Sequence, residues 1–299
     1  GSIPRIRIGC IIEQTGNKTL ALTLVRGASN AGKLRSYPAL RKGSPLQDLI
    51  TAYGWPTLIT GLLVLFTGGA VRGFAGFGAG MIFMPVAAAL FSPPVAAGAF
   101  LLLDYFVTLP LLPRALRLCD WRTVLPAVLA AVVSVHLGAW LLVSADPLVL
   151  RWIICLVVLA VLGLLISGWR YAGTPSPATS AGVGAAAGIM GGVSQVSGPP
   201  VVAFWLSSPH PPHVIRANLI VFFALAGTGS LLAYLIAGVF NGRVLALAIG
   251  GIAVYGLGLY LGARGFGRAN PQLYRRIAYS LIALAALTSL PALDGWLGR

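Results

Sequence analysis

From Trp55 onward the chain is a succession of apolar runs separated by short polar breaks, at roughly 56–71, 77–92, 93–113, 123–143, 147–168, 178–193, 196–208, 214–238, 243–263 and 271–290. Crossing a hydrocarbon core of about 30 Å takes about 20 helical residues. Inside that core every main-chain N–H and C=O must find a partner within the protein, which leaves helices or closed barrels. The third, fourth, fifth, eighth, ninth and tenth runs are long enough to span as helices. With 58% hydrophobic and 9% charged residues and a mean hydropathy of +0.89, the chain has too few polar side chains to cover a water-facing exterior. The expected fold class is all-α integral membrane: a polytopic helical bundle of 8–10 transmembrane segments.

The four remaining runs are short and rich in Gly and Pro, as in Gly73–Gly80 and Gly191–Pro200. They fall at matching places in two halves. At one constant offset Gly73 meets Gly191, Gly80 meets Gly198, and Pro94 meets Pro212. Farther on, Asp120-Trp-Arg122 aligns with Asn241-Gly-Arg243, and Pro147 and Arg151 align with Pro271 and Arg275. Two internal repeats are therefore expected, at 53–172 and 173–299, each carrying a short broken helix at a matching position. Residues 1–52 hold Arg5, Arg7, Lys18, Arg26, Lys33, Arg35, Arg41 and Lys42 and no long apolar stretch. They are expected to be a basic N-terminal appendage outside the core, a targeting tail or a non-native leader.

The net charge of +15 raises the question of a nucleic-acid partner. Outside the first 52 residues the basic side chains are scattered between apolar runs, as topology signals are, and no basic stripe interleaved with aromatics exists. If all ten segments span, Arg72, Arg114, Arg117, Arg122, Arg170, Arg216, Arg264, Arg268, Arg275 and Arg276 share one side. That side is then cytoplasmic and the halves are inverted. The basic tail argues the other way, and a four-plus-four arrangement with parallel halves stays open.

Unwound backbone at membrane depth is costly unless it lines a cavity or is covered by protein. In transporters built from repeats, broken helices meet near the midplane and present their N-termini to anions. Gly76, Gly78 and Gly80 in one half, with Gln195, Ser197, Gly198 and Pro199 in the other, are the candidate cradle. Gly lets a ligand approach the backbone, and Pro removes donors and frees carbonyls. The competing reading is that these glycines only allow close helix packing.

Ionisable groups inside apolar runs are functional candidates by default. Arg72 precedes the first glycine break and is suited to bind an oxyanion with two parallel hydrogen bonds. Arg216 and Asn218 open the run after the second break. Asp104 and His136 lie within apolar runs and are candidates for proton coupling. His210 and His213 flank prolines and lack metal-ligand spacing, so no metal and no cofactor is expected. No catalytic motif is present, and an enzyme is not expected.

The order and duplication of these motifs resemble the TauE/SafE sulfite exporter family, also called the four-span sulfite uptake permease family. The likeness covers about 55–295. It rests on Gly76–Pro85 in the first half, Gly198–Val202 in the second, and Asp120-Trp-Arg, Leu137-Gly-Ala-Trp and Tyr260–Arg264. Ser194–Pro200 departs from the run of glycines common there. The resemblance implies a multi-pass protein of the bacterial inner membrane, a secondary carrier for sulfite, sulfoacetate or a related sulfur-containing or organic anion. Alternating access would be its mechanism, driven by the proton gradient or the membrane potential. The partners expected are a small anion and the lipid bilayer, and a homo-oligomer is left open. A membrane-embedded assembly factor, or a channel without carrier activity, is the alternative.

Overall fold

The computed structural model describes residues 45–168, 176–265 and 271–297, all in one compact unit beginning at Gly43. The expectation for residues 1–44 lies outside the described residues. The described chain holds helices α1 Pro45–Tyr53, α2 Trp55–Ala75, α3 Ala79–Phe91, α4 Pro93–Thr108, α5 Leu112–Ala115, α6 Trp121–Ser144 and α7 Pro147–Ile166. After these come α8 Pro177–Ser194, α9 Gly198–Leu206, α10 Pro212–Ile236, α11 Gly242–Gly265, α12 Pro271–Thr288 and α13 Asp294–Leu297. Each of the ten apolar runs forms a main helix, α2 to α4 and α6 to α12, and the third run continues past α4 through a 3-10 turn into the short α5.

Local chemistry sets the helix ends. Asp120 caps α6 by accepting from the Arg122 N–H, and Asp146 caps α7 by accepting from Leu148 and Val149. Ser176 and Thr179 form a capping box at the start of α8. Prolines occupy the first turn of α2, α4, α7, α8, α9 and α10, where a missing N–H costs nothing.

Five described helices are long and apolar enough to cross a membrane: Trp55–Phe74, Trp121–Ser144, Pro147–Ile166, Pro212–Ile236 and Gly242–Gly265. Shorter apolar helices accompany them at Ala79–Phe91, Pro93–Thr108 and Arg276–Thr288. The range of eight to ten drawn from hydropathy counts such shorter pieces as spans. The nine residues of α9 reach only about 14 Å along the axis. Large apolar side chains stand on the outside, with Val133, Ile236 and Ile249 more than 70% exposed, as a surface facing lipid tails requires.

Two helix pairs approach most closely, α6 with α8 and α2 with α11. Small residues permit both contacts. On α8, Gly184, Gly188 and Gly192 lie against the carbonyls of Ala127, Ala131 and Val135, so close that a Cβ at Gly192 would stand 2.6 Å from the Val135 oxygen. On α11, Gly258 and Gly262 press on the Phe66 and Ala70 carbonyls of α2 in the same manner. The packing role weighed for small residues is carried by glycines along these seams and also by Gly73 of the first Gly-rich stretch, where a Cβ would meet the Leu259 carbonyl.

One boundary differs from expectation. Residues 45–53, mostly within the segment set aside as an appendage, form α1, whose Leu49 is buried in the core and whose Tyr53 ring meets Phe91 edge-on at 5.1 Å. A nine-residue amphipathic helix carries too short an apolar stretch for a hydropathy scan to detect. Gly188→Leu and Gly262→Leu are each expected to cost about 3 kcal/mol or more through overpacking. Thermal unfolding in detergent should show both losses, while Gly256→Ala, which opens onto empty space, leaves the transition within about a degree or two.

Candidate functional site

Two chain breaks define the interior site. The first follows α2, where Gly76 and Gly78 adopt φ of 82° and 98°, left-handed values that cost a side-chain-bearing residue about 1–2 kcal/mol. The second follows α8, where Gln195 takes a left-handed φ of 55°. Gln195 meets that cost with its own side chain. Its Nε2 donates to the Gly191 carbonyl at 3.0 Å and to the Tyr234 hydroxyl at 2.9 Å, and Tyr234 in turn donates to the Gly192 carbonyl at 2.7 Å. These bonds satisfy carbonyls at the end of α8.

The breaks touch each other. Gly80, in the first turn of α3, lies so near that a Cβ there would stand 2.6 Å from the Gln195 carbonyl oxygen. Beside this contact is a cavity of about 70 Å³, space for a few waters or one small oxyanion. Gly78 and Gly80 border it at the start of α3, and Ser197, Gly198 and Pro199 border it at the start of α9. Two helix N-termini therefore open on one hollow, each with first-turn N–H groups that lack a partner within the helix and carry partial positive charge. Because Pro199 and Pro200 have no N–H, α9 offers fewer donors than α3. On α9, Trp205 is fully buried and its Nε1 donates to Thr123 of α6 at 3.2 Å, which anchors this half-helix.

Arg72 and Asp104 supply charge to the same cavity. The Arg72 Nε lies 3.0 Å from Asp104 Oδ1, and its Nη2 donates to the Thr108 hydroxyl at 3.0 Å. The Thr108 hydroxyl in turn donates a hydrogen bond to the Asp104 main-chain carbonyl at 2.9 Å, and the buried Tyr255 hydroxyl of α11 donates to Asp104 Oδ1 at 2.6 Å. The Phe223 ring of α10 lies 6.0 Å from the Arg72 guanidinium, within cation–π range. The pair is mostly buried, with side chains 14% and 21% exposed, so both charges are held by specific bonds rather than by water.

Of the residues singled out in the sequence, the cavity brings together Arg72, Gly78, Gly80, Gln195, Ser197, Gly198 and Pro199, with Asp104. It does not bring in four others. Gly76 only turns the chain at the end of α2. Arg216 is exposed at the start of α10. Asn218 is fully buried, and its Oδ1 accepts from the Asp120 N–H at 2.8 Å, which fixes the turn into α6. His136 is exposed on the outer face of α6 with Nδ1 2.9 Å from the Val132 carbonyl oxygen of its own helix. Sequence reasoning missed Tyr255 and Phe223, which lie within long apolar helices, and Thr108 at the end of the shorter α4. A Tyr inside an apolar run was the only available signal, since a buried phenol needs a hydrogen-bond partner.

The sequence around this site matches known proteins. The family model described as "Sulfite exporter TauE/SafE" matches residues 61–289, which include every cavity-lining residue. The chain belongs to the TauE/SafE family. The curated "Probable sulfite/organosulfonate exporter TauE" of Cupriavidus necator is 31% identical over 235 residues, covering 74% of this chain and 89% of that relative. No solved structure matches. Within this TauE/SafE chain the matched region begins inside α2 and leaves α1 outside.

The Arg72–Asp104 pair yields a stability test. Arg72→Met leaves a mostly buried carboxylate without its cation and is expected to cost about 3 kcal/mol. Arg72→Met with Asp104→Leu removes both charges and should regain most of that loss, read as the detergent unfolding midpoint of the two variants.

Proposed function

We propose that this membrane protein is a secondary transporter of a small oxyanion, sulfite or an organosulfonate, working by alternating access in a bacterial inner membrane. The observation that carries the reading is that Arg72 and the N-termini of two broken helices share one cavity. A guanidinium and two sets of oriented main-chain N–H groups match an oxyanion in charge and hydrogen-bonding capacity. Gln195 shapes this site as a cap on α8, and its amide nitrogen is not the anion donor. The relative named as a sulfite/organosulfonate exporter supports the substrate class. An assembly factor with no polar convergence in its core lacks comparable support.

Alternating access rests on the two-repeat reading of 53–172 and 173–299. In support, each half runs as a broken pair followed by three further helices, α2 to α7 and α8 to α12, apart from the short α5. The main packing is also exchanged between the halves, since α2 lies on α11 while α8 lies on its counterpart α6. Elements paired across halves in this way can rock as bodies around a fixed site.

Uptake of radiolabelled sulfite into proteoliposomes tests the reading. Saturable uptake is expected, with half-saturation raised about tenfold or more in Arg72→Ala through loss of a charge-assisted hydrogen bond. Undiminished uptake by Arg72→Ala combined with Gln195→Ala would remove this site from the pathway.

A further inference from the structure

We propose that Asp104 fixes the charge state of the cargo: the site admits one monovalent oxyanion together with one proton, which Asp104 takes up so that Arg72 balances the anion. For a monoanion this is one proton per anion, and the loaded site is electrically neutral. The inference rests on the anion-carrier reading above and adds the ionic stoichiometry to it.

The argument starts from charge balance. Arg72 already has a counter-charge within the protein, because its Nε faces Asp104 Oδ1 at 3.0 Å. An anion entering the same cavity meets a pair of net charge zero, and the sum becomes negative beside side chains only 14% and 21% exposed, where uncompensated charge is disfavoured. A proton on Asp104 restores neutrality and releases the guanidinium to the anion. Among the described residues, Asp104 is the one acidic side chain lining the cavity. The charged or titratable groups around it are Arg72 of α2, Tyr255 of α11 and Tyr105 of α4 itself, while α3, α6, α8, α9 and α10 line the cavity with none. His136, the other coupling candidate, faces outward from α6 and cannot act here.

The bonding around Asp104 suits two protonation states. With Asp104 ionised, Oδ1 accepts from the Tyr255 hydroxyl at 2.6 Å and faces the Arg72 Nε. With Asp104 protonated, the new O–H can donate to the Tyr255 oxygen after that hydroxyl rotates, since a phenol both donates and accepts. Thr108 likewise accepts from the Arg72 Nη2 while its own hydroxyl keeps donating to the Asp104 main-chain carbonyl. The guanidinium therefore keeps one fixed partner when the carboxylate lets go. A hydrogensulfite or sulfonate group, each a monoanion, fits this arithmetic without a second cation.

The test uses wild-type protein in proteoliposomes, with radiolabelled sulfite uptake measured above protein-free vesicles under an imposed pH gradient and, separately, an imposed membrane potential. Accumulation that follows the pH gradient and ignores the potential is expected. Accumulation that follows the potential as for a bare anion and ignores the pH gradient would overturn the proposal while leaving the carrier intact. No saturable flux under either force would instead overturn the carrier reading itself. Asp104→Asn, which can neither gain nor lose the proton, should lose its response to the pH gradient and become driven by the potential. If that variant does not fold, the wild-type comparison decides alone.

Discussion

A helix that stops inside a membrane protein leaves N–H and C=O groups that water cannot reach, and the molecule is arranged around two such stops. At the end of α8 the exposed carbonyls are satisfied by the Gln195 amide and the Tyr234 hydroxyl. At the starts of α3 and α9 the groups left over are donors, and they border a cavity. The structure thus neutralises the acceptors and leaves the donors available, which makes the hollow attractive to negative charge.

The close packing elsewhere serves that arrangement. Glycine seams between α6 and α8, and between α2 and α11, let backbones touch and hold α2 and α8, the helices that carry both breaks, at fixed positions. Gly80 against Gln195 then brings the two breaks into direct contact. Arg72, in the last turn of α2, reaches the cavity because the chain stops there, and Asp104 on α4 meets it. The charged pair costs desolvation that its hydrogen bonds and the nearby Phe223 ring offset in part.

Much of this was legible in the sequence because the signals are local. Each apolar run formed a helix, and the Gly-rich stretches at 73–80 and 191–200 became breaks, since left-handed turns need Gly and first turns tolerate Pro. Arg72 and Asp104 stood out because charge is expensive in lipid. What the sequence hid depends on distance through space. Tyr255 lies far along the chain from Asp104 and nothing in its neighbourhood marks it as a partner. His136 and Asp104 look alike within apolar runs, and only the direction each helix faces separates them. Asn218 drew notice as a polar residue near the second break but holds a turn through the Asp120 N–H.

The central claim is that the junction of the two breaks binds an oxyanion, and locating one there tests it most directly. Selenite has the shape and charge of sulfite and scatters X-rays anomalously, so crystals grown with it would report its position. The account predicts one anomalous peak in the cavity, within hydrogen-bond reach of the Arg72 guanidinium and of main-chain N–H groups near Gly80 and Gly198. Selenite bound elsewhere, with that cavity empty in protein that still transports sulfite, would contradict it.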